Sequence, residues 1–179
     1  MRRPYDTEMP QLVLPDVRFH ESFLASHREW AGATQDGAGI DGGEDFESAT
    51  GFRTYVDGLI AQETTPLKEG FVTCTYRWIV EGDEYLGSIS FRHELSDFLL
   101  NFGGHIGYGV RPSARRRGLA SWALGETLAT ARERRYERVL ITCRDDNAAS
   151  AATIEKHGGL LEDIRTHDGV DMRRYWITI

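Results

Sequence analysis

Cysteine is nearly absent. Cys74 and Cys143 are the only two in 179 residues. Both lie inside apolar runs, so they read as buried free thiols in a reducing compartment rather than as a disulfide framework. No apolar run approaches the ~18–20 residues that a membrane-spanning helix needs. Met1-Arg2-Arg3-Pro4-Tyr5-Asp6 is followed by no apolar core of signal-peptide type. These absences predict a cytoplasmic protein with no membrane partner. A basic excess is also missing: Lys and Arg total 21 against 28 Asp and Glu, for a net charge of −7. Nucleic acid is therefore not an expected partner, although a local basic site remains open. No Cys/His or His/Glu pair has metal-ligand spacing, so no metal is expected. There is no internal repeat and no long low-complexity tract.

What is present describes one globular domain over residues 1–179, long enough to bury a core without staples. The chain is 40% hydrophobic, 27% charged and 11% aromatic. Leu12-Val13-Leu14 predicts an opening strand, and Asp16 caps a helix that runs to about Trp30. Gly32 to Gly43 is a glycine-rich acidic loop, long for a compact domain. A second helix follows over about Gly51 to Gln62. Phe71 to Val80 alternates as a strand, with Cys74, Tyr76, Trp78 and Val80 on one face. Tyr85 to Phe91 returns as its hairpin partner. His93 to Phe102 reads as a short helical connection. His105 to Val110 predicts a strand, Gly118 to Arg134 a helix, and Val139-Leu140-Ile141 a strand covered on both faces. Asn147 to His157 forms another helix, stopped by Gly158-Gly159. Leu160 to Thr166 and Met172 to Ile179 are the last strands. The order predicts an α/β or α+β fold around a mixed sheet.

Two constellations carry chemistry. Arg115-Arg116-Arg117-Gly118-Leu119-Ala120 sits between a strand and a helix. The first amides of a helix lack internal partners and point outward, the helix dipole adds positive charge there, and Gly118 lets a ligand approach the backbone. The pattern predicts a pyrophosphate cradle, the alternatives being a solvated basic turn or a nucleic-acid patch. It is not a P-loop, because no Gly-Lys-Ser/Thr follows, and it is not a dinucleotide fingerprint, because G-x-G-x-x-G is absent. Upstream, Gly107 and Gly109 lie inside a strand, which signals a bulge or close backbone approach. A ligand with a pyrophosphate at one end and peptide-like amides at the other suits both features, and coenzyme A is such a ligand. Downstream, Asn147 and Ser150 lie one helical turn apart. Both can donate to a thioester, an amide or a leaving sulfur, or can simply cap the helix.

The run from His105 to Gly159 resembles the core of the GNAT N-acetyltransferase superfamily. Arg115, Gly118 and Ala120 match its cofactor signature, R/Q-x-x-G-x-G/A. Asn147, Ser150, Glu155, Lys156 and Gly158 match the element after the family's fifth strand. The resemblance implies a mixed, mostly antiparallel sheet flanked by helices and splayed between its fourth and fifth strands, with acetyl-CoA in the gap. It implies that Tyr108, Gly109 and Val110 hold the acetyl and pantetheine groups, that Arg115 to Ala120 hold the pyrophosphate, and that Asn147 and Ser150 complete the site. Many members carry a Tyr acid in the helix after Asn147; that position here is Ile154. In members with the N-x-x-S version the Ser takes that role, so Ser150 is the expected acid.

A general base should have a pKa near the working pH. His105, at the start of the strand lining the gap, is the first candidate, and Glu94 and His93 are weaker ones. Tyr108 either packs in the core or hydrogen-bonds the acceptor. The acidic loop carrying Asp36, Asp41, Glu44, Asp45 and Glu47 could attract a cationic amine, or simply be solvated. The expected function is acetyl transfer from acetyl-CoA to a primary amine of a small, amino-acid-like molecule. The alternatives are a protein N-terminus or lysine as acceptor, or a non-catalytic acyl-CoA sensor. C-terminal edge strands, including Tyr175, Trp176 and Ile177, could pair with a second copy in a homodimer.

Overall fold

A computed structural model of the protein describes residues 9–179, so the reading of the first six residues lies outside the described part. Among the described residues seven strands form one sheet: β1 (Gln11–Val13), β2 (Cys74–Glu81), β3 (Glu84–Arg92), β4 (Ile106–Val110), β5 (Arg138–Arg144), β6 (Leu160–His167) and β7 (Val170–Thr178). Their spatial order is β1-β2-β3-β4-β5-β7-β6. All neighbours are antiparallel except β4 and β5. Four helices flank the sheet: α1 (His20–Glu29), α2 (Ala49–Ala61), α3 (Leu119–Glu133) and α4 (Ala148–Lys156). The connection expected over His93 to Phe102 becomes helical only near its end, where Leu99–Gly103 make one wide turn.

Alternation along the strands sorts the side chains into two cores. Trp78, Val80 and Tyr85 pack with Phe19, Phe23, Phe52, Tyr55 and Leu59 from the α1/α2 side. Ile79, Ile89, Phe91, Ile106 and Val110 pack with Leu119, Leu124, Leu128 and Ile154 from the α3/α4 side. Two tight hairpins fix the register. Gly82 joins β2 to β3 with φ +56°, and Asp168-Gly169 joins β6 to β7 with both φ values positive. The left-handed conformations match the twist of the paired strands.

The C-terminal edge differs from expectation. Tyr175, Trp176 and Ile177 lie on β7, hydrogen-bonded to β5 on one side and to β6 on the other. Their backbone is already paired, so they cannot add a strand from a second copy. The strand at this edge is β6. A register shift between Leu161 and Asp163 brings both Glu162 and Asp163 onto Arg174 Nη1, at 2.6 and 2.7 Å. The Arg174 side chain is 2% exposed. Closing the chain in this order, with β7 inserted beside β5, sets the geometry of the gap on the other side of β5.

Candidate active site

Strands β4 and β5 meet at one point, Ile106 opposite Ile141. Just before it, the His105 amide donates to Leu140 O at 2.7 Å, and the Leu140 amide donates to His105 Nδ1 at 2.9 Å. Beyond Ile106 the strands part. His105 O and the Arg111 amide bond to β3, and alternation then turns the amide groups of Tyr108 and Val110 the other way, into the opening. The Val110 carbonyl accepts from Arg115 Nε at 3.2 Å. No strand pairs with the remaining groups.

His105 is thus a stitch at the closed end of the opening. Burial pushes its pKa down to about 4, because water is not there to solvate an imidazolium. Its Nδ1 is committed to a backbone amide, and Tyr136 and Trp176 stand edge-on to its ring. His105 does not meet Ser150. His93 lies elsewhere again, bonded to Thr73, Thr75 and Arg134.

Tyr108 and Ser150 do meet. Tyr108 points to the α3/α4 side, and its hydroxyl lies 2.8 Å from Ser150 Oγ. Burial raises the Tyr108 pKa to about 12, so the phenol stays protonated at ordinary pH. Asn147 Oδ1 accepts from the Ser150 amide at 3.1 Å and caps α4. That bond fixes where Ser150 stands, since the cap sets the first turn of the helix. Ile154, where a tyrosine was considered, is fully buried in the core below α4.

The arginine loop is largely committed to the protein itself. Arg111 pairs with Glu29 and Glu84, and Glu29 also accepts from the Ser113 amide. The Arg111 guanidinium holds the Glu29 pKa down at about 2. Arg117 pairs with Glu81 at 2.6 Å. Arg115 bonds Val110 O and lies over the Trp30 ring at 4.8 Å. Arg116, at φ +63°, is exposed. Gly118 then opens α3 with φ +80° and no side-chain cap. A Cβ there would point into open space. The first amides of α3 therefore point outward with helix-dipole charge behind them.

The strand glycines have a different occupant from the one expected. A Cβ on Gly109 would sit 2.8 Å from Asp36 O, and a Cβ on Gly37 would sit 2.4 Å from Gly107 O. The loop from Trp30 to Ala38 presses its own backbone onto the bare α1/α2 face of β4. Sequence reasoning saw that something approaches these glycines but not that it is the acidic loop. Within that segment, Asp41 pairs with Lys68, Glu44 accepts from the Asp41 and Gly42 amides, Asp45 accepts from the Glu47 and Ser48 amides just ahead of α2, and Glu47 pairs with Arg28. The Asp36 carboxylate has no such bond among the described residues.

A family model described as an acetyltransferase (GNAT) domain matches residues 46–159, more than half of the chain. The protein belongs to the GNAT acetyltransferases. No curated protein sequence matches it. Among solved structures, it is similar to RimL, a ribosomal L7/L12 alpha-N-protein acetyltransferase in complex with coenzyme A. That match has 22% identity and TM-score 0.69, covering 99% of this chain and 97% of that one. It is similar to MccE, the microcin C7 self-immunity acetyltransferase in complex with acetyl-CoA and AMP, at 18% identity, 97% and 93% coverage and TM-score 0.69. A third is an acetyl transferase from Salmonella typhimurium that modifies the N-terminal serine of ribosomal protein L7/L12, at 20% identity, 97% and 96% coverage and TM-score 0.65.

As a GNAT enzyme the protein uses acetyl-CoA as cosubstrate. The residues present suit that molecule: an uncapped helix start for a diphosphate, a glycine that leaves the approach to it open, and strand amides of β4 free along an open edge. Among the described residues no cluster of His, Cys, Asp or Glu could hold a metal, and no helix is long and apolar enough to cross a membrane.

Proposed function

We propose that this acetyltransferase acts on the primary amine of an amino-acid-like acceptor, by direct attack on the thioester, in the cytoplasm. The observation that carries this reading is the meeting of Tyr108 and Ser150 at the opening between β4 and β5. Acetyl-CoA supplies an activated acyl carbon and a thiolate leaving group. In this reading the amides of Leu119 and Ala120, with Gly118 and the exposed Arg116 side chain, bind the diphosphate, while Arg115 and Arg117 brace the loop. The strand amides at Tyr108 and Val110 align the pantetheine arm, Gly109 between them turning its own amide to β3, and the Val110 N–H polarises the thioester oxygen. Asn147 holds α4 so that the Ser150 hydroxyl faces the sulfur. Ser150 then protonates the departing thiolate, and Tyr108 restores its proton. His105 has a structural role here.

A second reading, a peptide or protein N-terminus as acceptor, is favoured by the likeness to RimL. Both readings share one test. Saturating acetyl-CoA at a hundred times its Kd adds about 2.7 kcal/mol and should raise Tm by about 5–10 °C at this size. An amine and peptide panel followed by free CoA thiol then identifies the acceptor. Stabilisation by ATP but not by acetyl-CoA would overturn the proposal. Tight acetyl-CoA binding with no thiol released by any amine would support the sensor alternative instead.

A further inference from the structure

The loop that lies on the α1/α2 face of β4 carries one uncommitted carboxylate. Of the acidic residues between Asp36 and Glu47, only Asp36 is not bound to a cation, a cap or a backbone amide among the described residues. Its position is not accidental. The turn Gln35–Ala38 is closed by the Ala38 amide donating to Gln35 O, and the Tyr55 hydroxyl, which is buried, donates to Ala38 O at 2.6 Å. Gln35 Nε2 lies 2.7 Å from His27 Nδ1. Glycines at 37, 107 and 109 allow this turn to lie directly on β4, backbone against backbone.

The Asp36 backbone oxygen lies 2.8 Å from where a Cβ on Gly109 would sit, so its turn stands on the α1/α2 face of β4, on the stretch of that strand that has parted from β5. Arg92 Nη2 lies against Gly107 on the same face, and Arg92 and Arg144, at the ends of β3 and β5, are the cations whose charge reaches the carboxylate. It is solvent-exposed yet crowded by protein, and that crowding raises its pKa. Both arginines are already engaged. Arg92 donates to the carbonyls of Gly103 and Gly104, and Arg144 makes a two-pronged pair with Asp146.

We infer that Asp36 receives the acceptor's ammonium group and takes its first proton, and that the acceptor is an amine with no free carboxylate beside it, such as an amino-acid amide or a peptide N-terminus. An acceptor carrying its own carboxylate would bring a second negative charge to a subsite whose nearby cations are spent. The proton count closes. The ammonium gives one proton to Asp36, which passes it to water. The nitrogen–carbon bond forms as the carbon–sulfur bond breaks, the sulfur gains a proton from Ser150, Tyr108 restores the Ser150 proton, and the second proton leaving the nitrogen returns through water to Tyr108.

This inference rests on the acetyl-transfer reading above, and its test separates the two. Probes are alaninamide, a dialanine amide and free alanine, followed by CoA thiol release with wild type and Asp36→Asn. The wild type should turn over the two amides and discriminate against free alanine. Asp36→Asn should lower kcat/KM for the amides by about 10²-fold, with the acetyl-CoA-induced rise in Tm unchanged. Asp36→Glu should recover part of the loss. Asp36→Asn turnover within threefold of wild type would overturn the inference while leaving the cofactor site standing. So would a wild type that is stabilised by acetyl-CoA yet acetylates free alanine as well as the amides, or neither. A wild type that acetyl-CoA does not stabilise overturns the acetyl-transfer reading itself.

Discussion

The Tyr108–Ser150 pair makes a quantitative demand that a double-mutant cycle can meet or refuse. The hydroxyls lie 2.8 Å apart, and the phenol, at a pKa of about 12, is a donor throughout the assay range. If Ser150 hands its proton to the leaving sulfur and Tyr108 replenishes it, the two act as one unit. Ser150→Ala should lower kcat by about 10²-fold, the lower end of general acid catalysis. Tyr108→Phe keeps the ring packed against the α3/α4 core and removes only the oxygen. It should lower kcat by about tenfold. The double variant should be no slower than Ser150→Ala alone, a coupling of about 1.4 kcal/mol. Each single change also removes a hydrogen bond worth about 1 kcal/mol, so Tm should fall by about 2–4 °C. Steady-state thiol release gives kcat, and the acetyl-CoA-induced shift in Tm checks that binding survives. A double variant slowed by the product of the single effects, about 10³-fold, would refute the relay. Full turnover in Ser150→Ala would remove Ser150 as the acid.

Two further outcomes follow from the same geometry. Gly118→Ala forces a Cβ into a left-handed position and should cost about 1–2 kcal/mol and weaken CoA binding. Gly118→Asn tolerates that backbone better and should regain stability without regaining affinity, so CoA titration of an Asn variant that binds like wild type would show that the glycine serves backbone conformation alone. His105 titrates near 4 in the fold and near ~6.5 when unfolded. The unfolded chain therefore binds more protons between those values, so stability is full above about pH 6.5 and falls as pH drops toward 4, by on the order of 3 kcal/mol at most. His105→Asn, which can offer Oδ1 to the Leu140 amide, should flatten that part of the profile in urea unfolding across pH 7 to 4.5. An unchanged slope would place the acid sensitivity elsewhere.

Much of the frame was legible because it is local. The period-2 run ending at Val80 and the Asn147 cap each depend on neighbours a few residues away; the cap stands where its pattern put it, and the strand does so from Cys74 on, three residues later than the run from Phe71. What escaped was decided by partners far along the chain. Arg111 reaches Glu29 and Arg117 reaches Glu81, so a basic run that reads as open charge is mostly spent on bracing the loop. The order of β6 and β7 depends on which strand inserts beside β5, and two adjacent strand patterns carry no mark of that choice. Gly107 and Gly109 announced close approach correctly, but a missing Cβ does not say what fills its place.

The arginine pairing also changes how the diphosphate site should be understood. If the guanidiniums of Arg111 and Arg117 hold Glu29, Glu84 and Glu81, their work is to fix the backbone ahead of Gly118. The proposed anion site then depends chiefly on main-chain amides at the start of α3, whose direction is set by the helix and not by rotamer choice. Geometry fixed in this way links the two sides of the sheet. Glu29 ties the loop to α1, and α1 leads through Trp30 into the turn that sets the Asp36 backbone against Gly109. The brace that shapes the proposed cofactor cradle therefore also ties in the helix that leads to the proposed acceptor-side carboxylate.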